Sequence, residues 1–136
     1  MRRGSLRFAG YASVFDRLDR GGDVVRPGAF SQSLMRRPKV PLLWQHQASR
    51  VIGNIEHLRE DARGLQVIGS IHDDEFGRLL ARELSGGRLN GLSFGYRVAS
   101  ARHAAGHREI EQLDLLEVSL VRHPMQPLAR VHKLAA

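Results

Sequence analysis

The chain predicts a small, mainly β fold: an antiparallel β-barrel with a few helices around it. Three observations lead there. Six or so short segments carry the period-two alternation of strands, only two stretches show helical spacing, and the strands are mostly not separated by helices of crossover length, which disfavours a parallel α/β sheet. At 136 residues the length suits one domain, expected to span residues 1–136.

Leu6, Phe8 and Gly10 to Val14 alternate as a strand does, and Asp16 to Asp23, with Gly21-Gly22, reads as the loop after it. Beyond Pro27-Gly28, the stretch Ala29 to Arg37 places Phe30 and Leu34 four apart, as in two turns of helix stopped before Pro38. Val40 to Gln45 reads as a short buried strand ending in Trp44-Gln45-His46. Val51 to Leu58 and Leu65 to Ile71 are further strands across a polar hairpin loop, Leu65, Val67, Gly69 and Ile71 sharing one face. Asp73 or Asp74 caps a helix carrying Phe76, Leu79, Leu80 and Leu84, which Gly86-Gly87 ends. From Asn90 to Ser100 the period returns to two, with Leu92, Phe94, Tyr96 and Val98 on one side and Ser93, Gly95 and Arg97 on the other. A polar loop containing His103 and His107 follows. Glu109 to Val121 gives a long strand in which Leu116, Val118 and Leu120 alternate with Glu117, Ser119 and Val121, and the tail, with Pro124 and Pro127, adds at most a short helix.

Composition bounds the chemistry. Apolar residues make up 42% and charged residues 26%, an ordinary globular balance that supports a core. Cysteine is absent, which excludes disulfides, thiolate metal clusters and a cysteine nucleophile, so covalent catalysis must use oxygen or nitrogen. No window reaches the roughly 18 apolar residues of a membrane span, and no secretory signal opens the chain, so a soluble protein without membrane partner is expected. The net charge of +7 comes from scattered basic residues, all but Lys39 and Lys133 being arginine. Such scatter favours acidic partners in general, whereas a nucleic-acid reader concentrates its basic residues beside aromatic platforms. His103 and His107 have the four-residue spacing of metal ligands on a helix but sit in loop-like sequence, so no metal or cofactor is expected. Gly91-Leu92-Ser93-Phe94-Gly95 lies in a strand pattern, unlike a phosphate loop or a hydrolase elbow.

Three polar residues occur in apolar strand context: His46, Ser93 and Glu117. Serine hydrolysis needs a hydroxyl nucleophile, a base to take its proton and a third group to hold that base, and these supply one of each. Each also has a plainer reading. Ser93 can be a solvent-facing strand residue, His46 a histidine bonded to a backbone carbonyl at a strand end, and Glu117 an ion-pair partner of an arginine across the sheet.

The ordered set Gly10-Tyr11-Ala12-Ser13-Val14-Phe15, Asp23-Val24-Val25, Pro27-Gly28-Ala29-Phe30, Leu43-Trp44-Gln45-His46, Ile52-Gly53, Gly64-Leu65, Gly91 to Tyr96 and Leu116 to Val121 resembles the prohead proteases of tailed phages, over about Phe8 to Ala129. That family is similar to the herpesvirus assemblins, serine endopeptidases on a small β-barrel. The resemblance implies capsid maturation: cleavage of the scaffold protein, or of a scaffold-like extension of the major capsid protein, inside the assembling procapsid in the bacterial cytoplasm. A phage, a prophage or a gene transfer agent is the implied setting, and a homodimer the implied assembly. It places the nucleophile on Ser93, the general base on His46 and the third member on Glu117, with Asp114 and His123 as fallbacks and Arg122 as an oxyanion candidate. The run Arg122 to Pro127 departs from the family's usual Pro-Ala-Asn ending. The alternative is a non-catalytic assembly or scaffold-binding module on the same fold.

Overall fold

Alternating apolar side chains need a second surface to cover them, and here one strongly bent sheet supplies both faces. The computed structural model describes residues 6–135. Its elements are β1 (Arg7–Val14), β2 (Asp23–Val25), α1 (Ser31–Arg36), β3 (Leu42–Trp44), β4 (Gln47–Glu60), β5 (Gly64–Ile71), α2 (Glu75–Ser85), β6 (Gly91–Ala104), β7 (His107–Val121) and β8 (Val131–Ala135). The eight strands run in the order β2-β7-β3-β4-β5-β1-β8, with β6 also paired to β7. Phe8, Phe30, Leu42, Leu65, Leu80, Leu92 and Leu120 are among the side chains buried at its centre.

The mainly β class with few helices holds. Two details of the expectation change. The sheet is mixed, because β2 and β3 both run parallel to β7; a parallel partner needs a long return path but not one single helix, and between β3 and β7 that path is a hairpin, α2 and β6. Closure into a barrel is not made by a continuous ladder either. The start of β6 meets the segment before β8 through one bridge, Gly91 to Arg130, and the Leu92 N–H donates to the Ala129 carbonyl at 2.9 Å.

The tail is strand β8 on β1, not a helix, and the expected loop around His103 and His107 is a tight hairpin turn at Ala105-Gly106, with Gly106 at φ 78°. In α2 the side chain of Asp74 accepts from the Gly77 N–H at 2.7 Å, as a cap should. Leu79 is exposed at 45%, so the buried stripe is Gly77, Leu80 and Leu84. The short α1 has no side-chain cap; its buried Ser33 accepts from the Leu115 N–H at 2.9 Å and pins it to β7.

Register decides the site. On β7 the core positions are Ile110, Leu113, Leu115, Val118 and Leu120, not Leu116, because a bulge between the pairs Gly95 to Glu117 and Tyr96 to Leu115 leaves Leu116 over and shifts the alternation by one.

Candidate active site

Residues directly opposite in adjacent strands share a face. Ser93 lies opposite Ser119, and Gly95 opposite Glu117, so these four occupy the face of the β6–β7 pair that points away from Leu92 and Leu120. Ser93 does face away from its apolar neighbours, but at 7% exposure it is buried, not a solvent-facing strand residue. Gly95 is required here. A Cβ at that position would run into the Glu117 carboxylate, so the missing side chain is the space the carboxylate occupies.

β3 flanks β7 on the side opposite β6, and its end delivers the histidine. Trp44 pairs with Gln47 across a two-residue turn, Gln45-His46, whose residues stand at φ 52° and 61°. Both central residues of a type I′ turn need positive φ, usually met by Asn-Gly. Two side-chain-bearing residues there cost on the order of 1–2 kcal/mol each. Hydrogen bonds hold them. The Gln45 N–H donates to the Leu120 carbonyl at 3.0 Å, the His46 N–H to Ser119 Oγ at 3.0 Å, and the Arg122 N–H to Gln45 Oε1 at 2.7 Å.

The turn sets the imidazole against the carboxylate, with His46 Nδ1 at 2.5 Å from Glu117 Oε2. The other oxygen, Oε1, accepts from the Ser119 hydroxyl at 2.7 Å. Ser119 is wholly buried and therefore ties the main chain of one residue to the carboxylate of the other. The hydrogen bond to Glu117, reinforced by its charge and opposed by partial burial, holds the His46 pKa above its ordinary value. With Nδ1–H given to the carboxylate, Nε2 keeps a lone pair for a second partner.

His46 and Ser93 line the same two cavities, of about 130 and 190 Å³. Among the described residues no hydrogen bond joins them. Of the fallback residues, Asp114 pairs with Arg36 on the exposed flank of β7, while His123 lines the larger cavity beside Ser93. The main-chain N–H of Arg122 is occupied by Gln45; its guanidinium lies 5.4 Å from the centroid of the Trp44 ring.

Residues 2–136 match the family described as caudovirus prohead serine protease. The chain belongs to that family. Over 95 residues it is 36% identical to the prohead protease of Enterobacteria phage HK97, an alignment that takes in 68% of this chain and 42% of that protein, so the chain spans about two fifths of its relative. Among solved structures it is similar to a KSHV protease bound to a hexapeptide phosphonate inhibitor, with TM-score 0.69 and 15% identity over 97% of this chain and 65% of that one. It is also similar to the bacteriophage T4 capsid assembly protease, with TM-score 0.70 and 12% identity over 85% and 80%. These two likenesses show a shared fold.

Within this prohead protease family member, sequence reasoning missed Ser119, the clamp between base and carboxylate, and Gln45, which fixes the turn. Ser119 was visible in one respect: two residues after Glu117 on a strand, it shares that residue's face. Gln45 carried no signal, since nothing in Trp44-Gln45-His46 marks a turn with positive φ.

Proposed function

We propose that this chain is a serine endopeptidase of procapsid maturation, with Ser93 as nucleophile, His46 as general base and Glu117 as the group that orients the base. Supporting this reading above all is the imidazole of His46, held by Glu117 through Nδ1 and lining the same cavities as Ser93. His46 Nε2 takes the proton of the Ser93 hydroxyl as its oxygen bonds to the scissile carbonyl carbon, and the resulting imidazolium is stabilised by the carboxylate. That proton then passes to the leaving amine, and a water, deprotonated by the same nitrogen, releases the acyl group. The Arg122 guanidinium, near the turn, is the donor proposed for the developing oxyanion.

The substrate is the scaffold protein or a scaffold-like extension of the major capsid protein, cut inside the procapsid of a phage, a prophage or a gene transfer agent in its bacterial host. Residues 1–136 act as one catalytic domain, in an assemblin-like barrel whose seam is the Gly91 to Arg130 bridge, and the working assembly is a homodimer. Co-expression with the cognate capsid precursor tests the assignment. The precursor should be shortened, and Ser93→Ala, which removes the nucleophilic oxygen, should leave it at full length. Processing by the Ser93→Ala variant at the parent's rate rules out the nucleophile.

A further inference from the structure

The smaller cavity extends from Ser93 toward the loop before β2, and its lining is chemically divided. Leu92, Phe94 and Met125 give it apolar walls. Beyond His46 and Ser93 its polar positions are Ser13, Asp19, Asp23, Tyr96 and Gln126, the last with its amide already engaged by the main chain of Val14 and Arg17. Asp23 is already satisfied, because Arg108 donates to it through Nε at 2.9 Å and through a second guanidinium nitrogen at 3.0 Å, and the Tyr96 hydroxyl donates at 2.9 Å. Asp19 differs. Its Oδ1 accepts the N–H groups of Gly21 and Asp23, at 2.8 and 2.9 Å, but among the described residues it forms no direct ion pair; Arg108, whose charge it feels, is bound to Asp23 instead. Ser13 is 1% exposed, and its Oγ is buried with no hydrogen-bond partner.

A buried hydroxyl without a partner is costly unless a ligand or water completes it. A carboxylate without a direct ion pair favours a cation. Both needs, together with apolar walls, are met by one kind of group: a methylene stem ending in several N–H donors. An apolar side chain would leave the Ser13 hydroxyl without a partner and Asp19 without a bound cation, and an acidic one would meet a like charge.

We propose that this cavity is the specificity pocket for the residue on the acyl side of the scissile bond, and that it selects a basic side chain, its stem against Leu92, Phe94 and Met125 and its cationic head on Asp19 and Ser13. The proposal rests on the reading of Ser93 as nucleophile. The test uses three peptidyl diphenyl phosphonates, identical except that the residue bearing phosphorus is an analogue of lysine, norleucine or glutamate. Attack by Ser93 Oγ on phosphorus expels a phenoxide and leaves an adduct measurable by mass.

The lysine probe should label Ser93 at least about tenfold faster than the norleucine probe, the value of a charge-assisted hydrogen bond. Asp19→Asn, which keeps the acceptor for the Gly21 and Asp23 N–H groups, should bring the two rates together, and Ser13→Ala should narrow their ratio part-way. Equal labelling by all three probes, or faster labelling by norleucine or glutamate, overturns the pocket and leaves the nucleophile standing. A lysine preference that both variants preserve overturns its assignment to this cavity. Absence of Ser93 labelling by every probe overturns the catalytic reading and the pocket with it.

Discussion

Glu117 is the residue whose role can be separated from folding by a single atom. Replacing it with glutamine keeps the shape, and keeps an oxygen able to accept from Ser119, but removes the charge that holds the His46 pKa up. A general base works only when neutral, so activity rises with pH through the His46 pKa. In the parent that acid limb should lie above the ordinary histidine value, and in Glu117→Gln it should move toward lower pH. The maximal rate should fall by about 10²–10⁴-fold, as the imidazolium loses its stabilising charge and its fixed tautomer. A pH–rate profile on a peptide substrate reads both, and an unshifted limb would take Glu117 away from the base. All three proposed catalytic residues were legible in the sequence as polar groups, Ser93 and Glu117 within apolar strands and His46 at the end of one. Their company was not, since the Ser119 clamp and the Asp19 carboxylate acquire meaning only through neighbours far away in the chain.

At the level of elements, local chemistry spoke most clearly in α2. Asp74, three residues before Gly77 and just ahead of the Leu80 and Leu84 stripe, marks the start of a helix, and its carboxylate accepts the Gly77 N–H. Asp74→Ala leaves that donor without its side-chain partner and should lower stability by about 1 kcal/mol, measured as a shift of the denaturant midpoint at constant slope. A midpoint equal to the parent's means that solvent replaces the cap. Six of the eight strands were legible in the sequence, in order but not in phase, while β2 and β8 were missed. The Leu116 bulge on β7 defeats any strict alternation, and it also lets Glu117 and Ser119 share a face with Ser93 while Leu113 and Leu115 stay in the core. Bulges carry no reliable residue signature, so period-two counting selected Leu116 wrongly.

Across the whole molecule, what sequence patterns could not supply was pairing over long separations: β2 and β3 parallel to β7, and β8 returning to β1. Asp23 is where such pairing has an electrostatic signature. It begins β2, pairs with Arg108 on β7 and accepts from Tyr96 on β6, so three strands meet at one carboxylate that is 8% exposed. The hydrogen bonds from Arg108, with lesser help from Tyr96, hold its pKa below the ordinary aspartate value despite burial. Tyr96 is pushed up to about 12 by burial and by the carboxylate. A group whose pKa is lower in the folded than in the unfolded state stabilises the fold above its unfolded pKa, and that contribution disappears as pH falls through the folded one. Asp23→Asn should therefore cost about 1.5–3 kcal/mol at neutral pH, the range for hydrogen bonds to a charged group, and much less in acid, where the parent's own carboxyl is protonated. Denaturant curves of parent and variant at several pH values measure the difference. If it stays constant from neutral to strongly acid pH, the junction of β2, β6 and β7 is held by shape and burial, and the Asp23 charge contributes nothing to it.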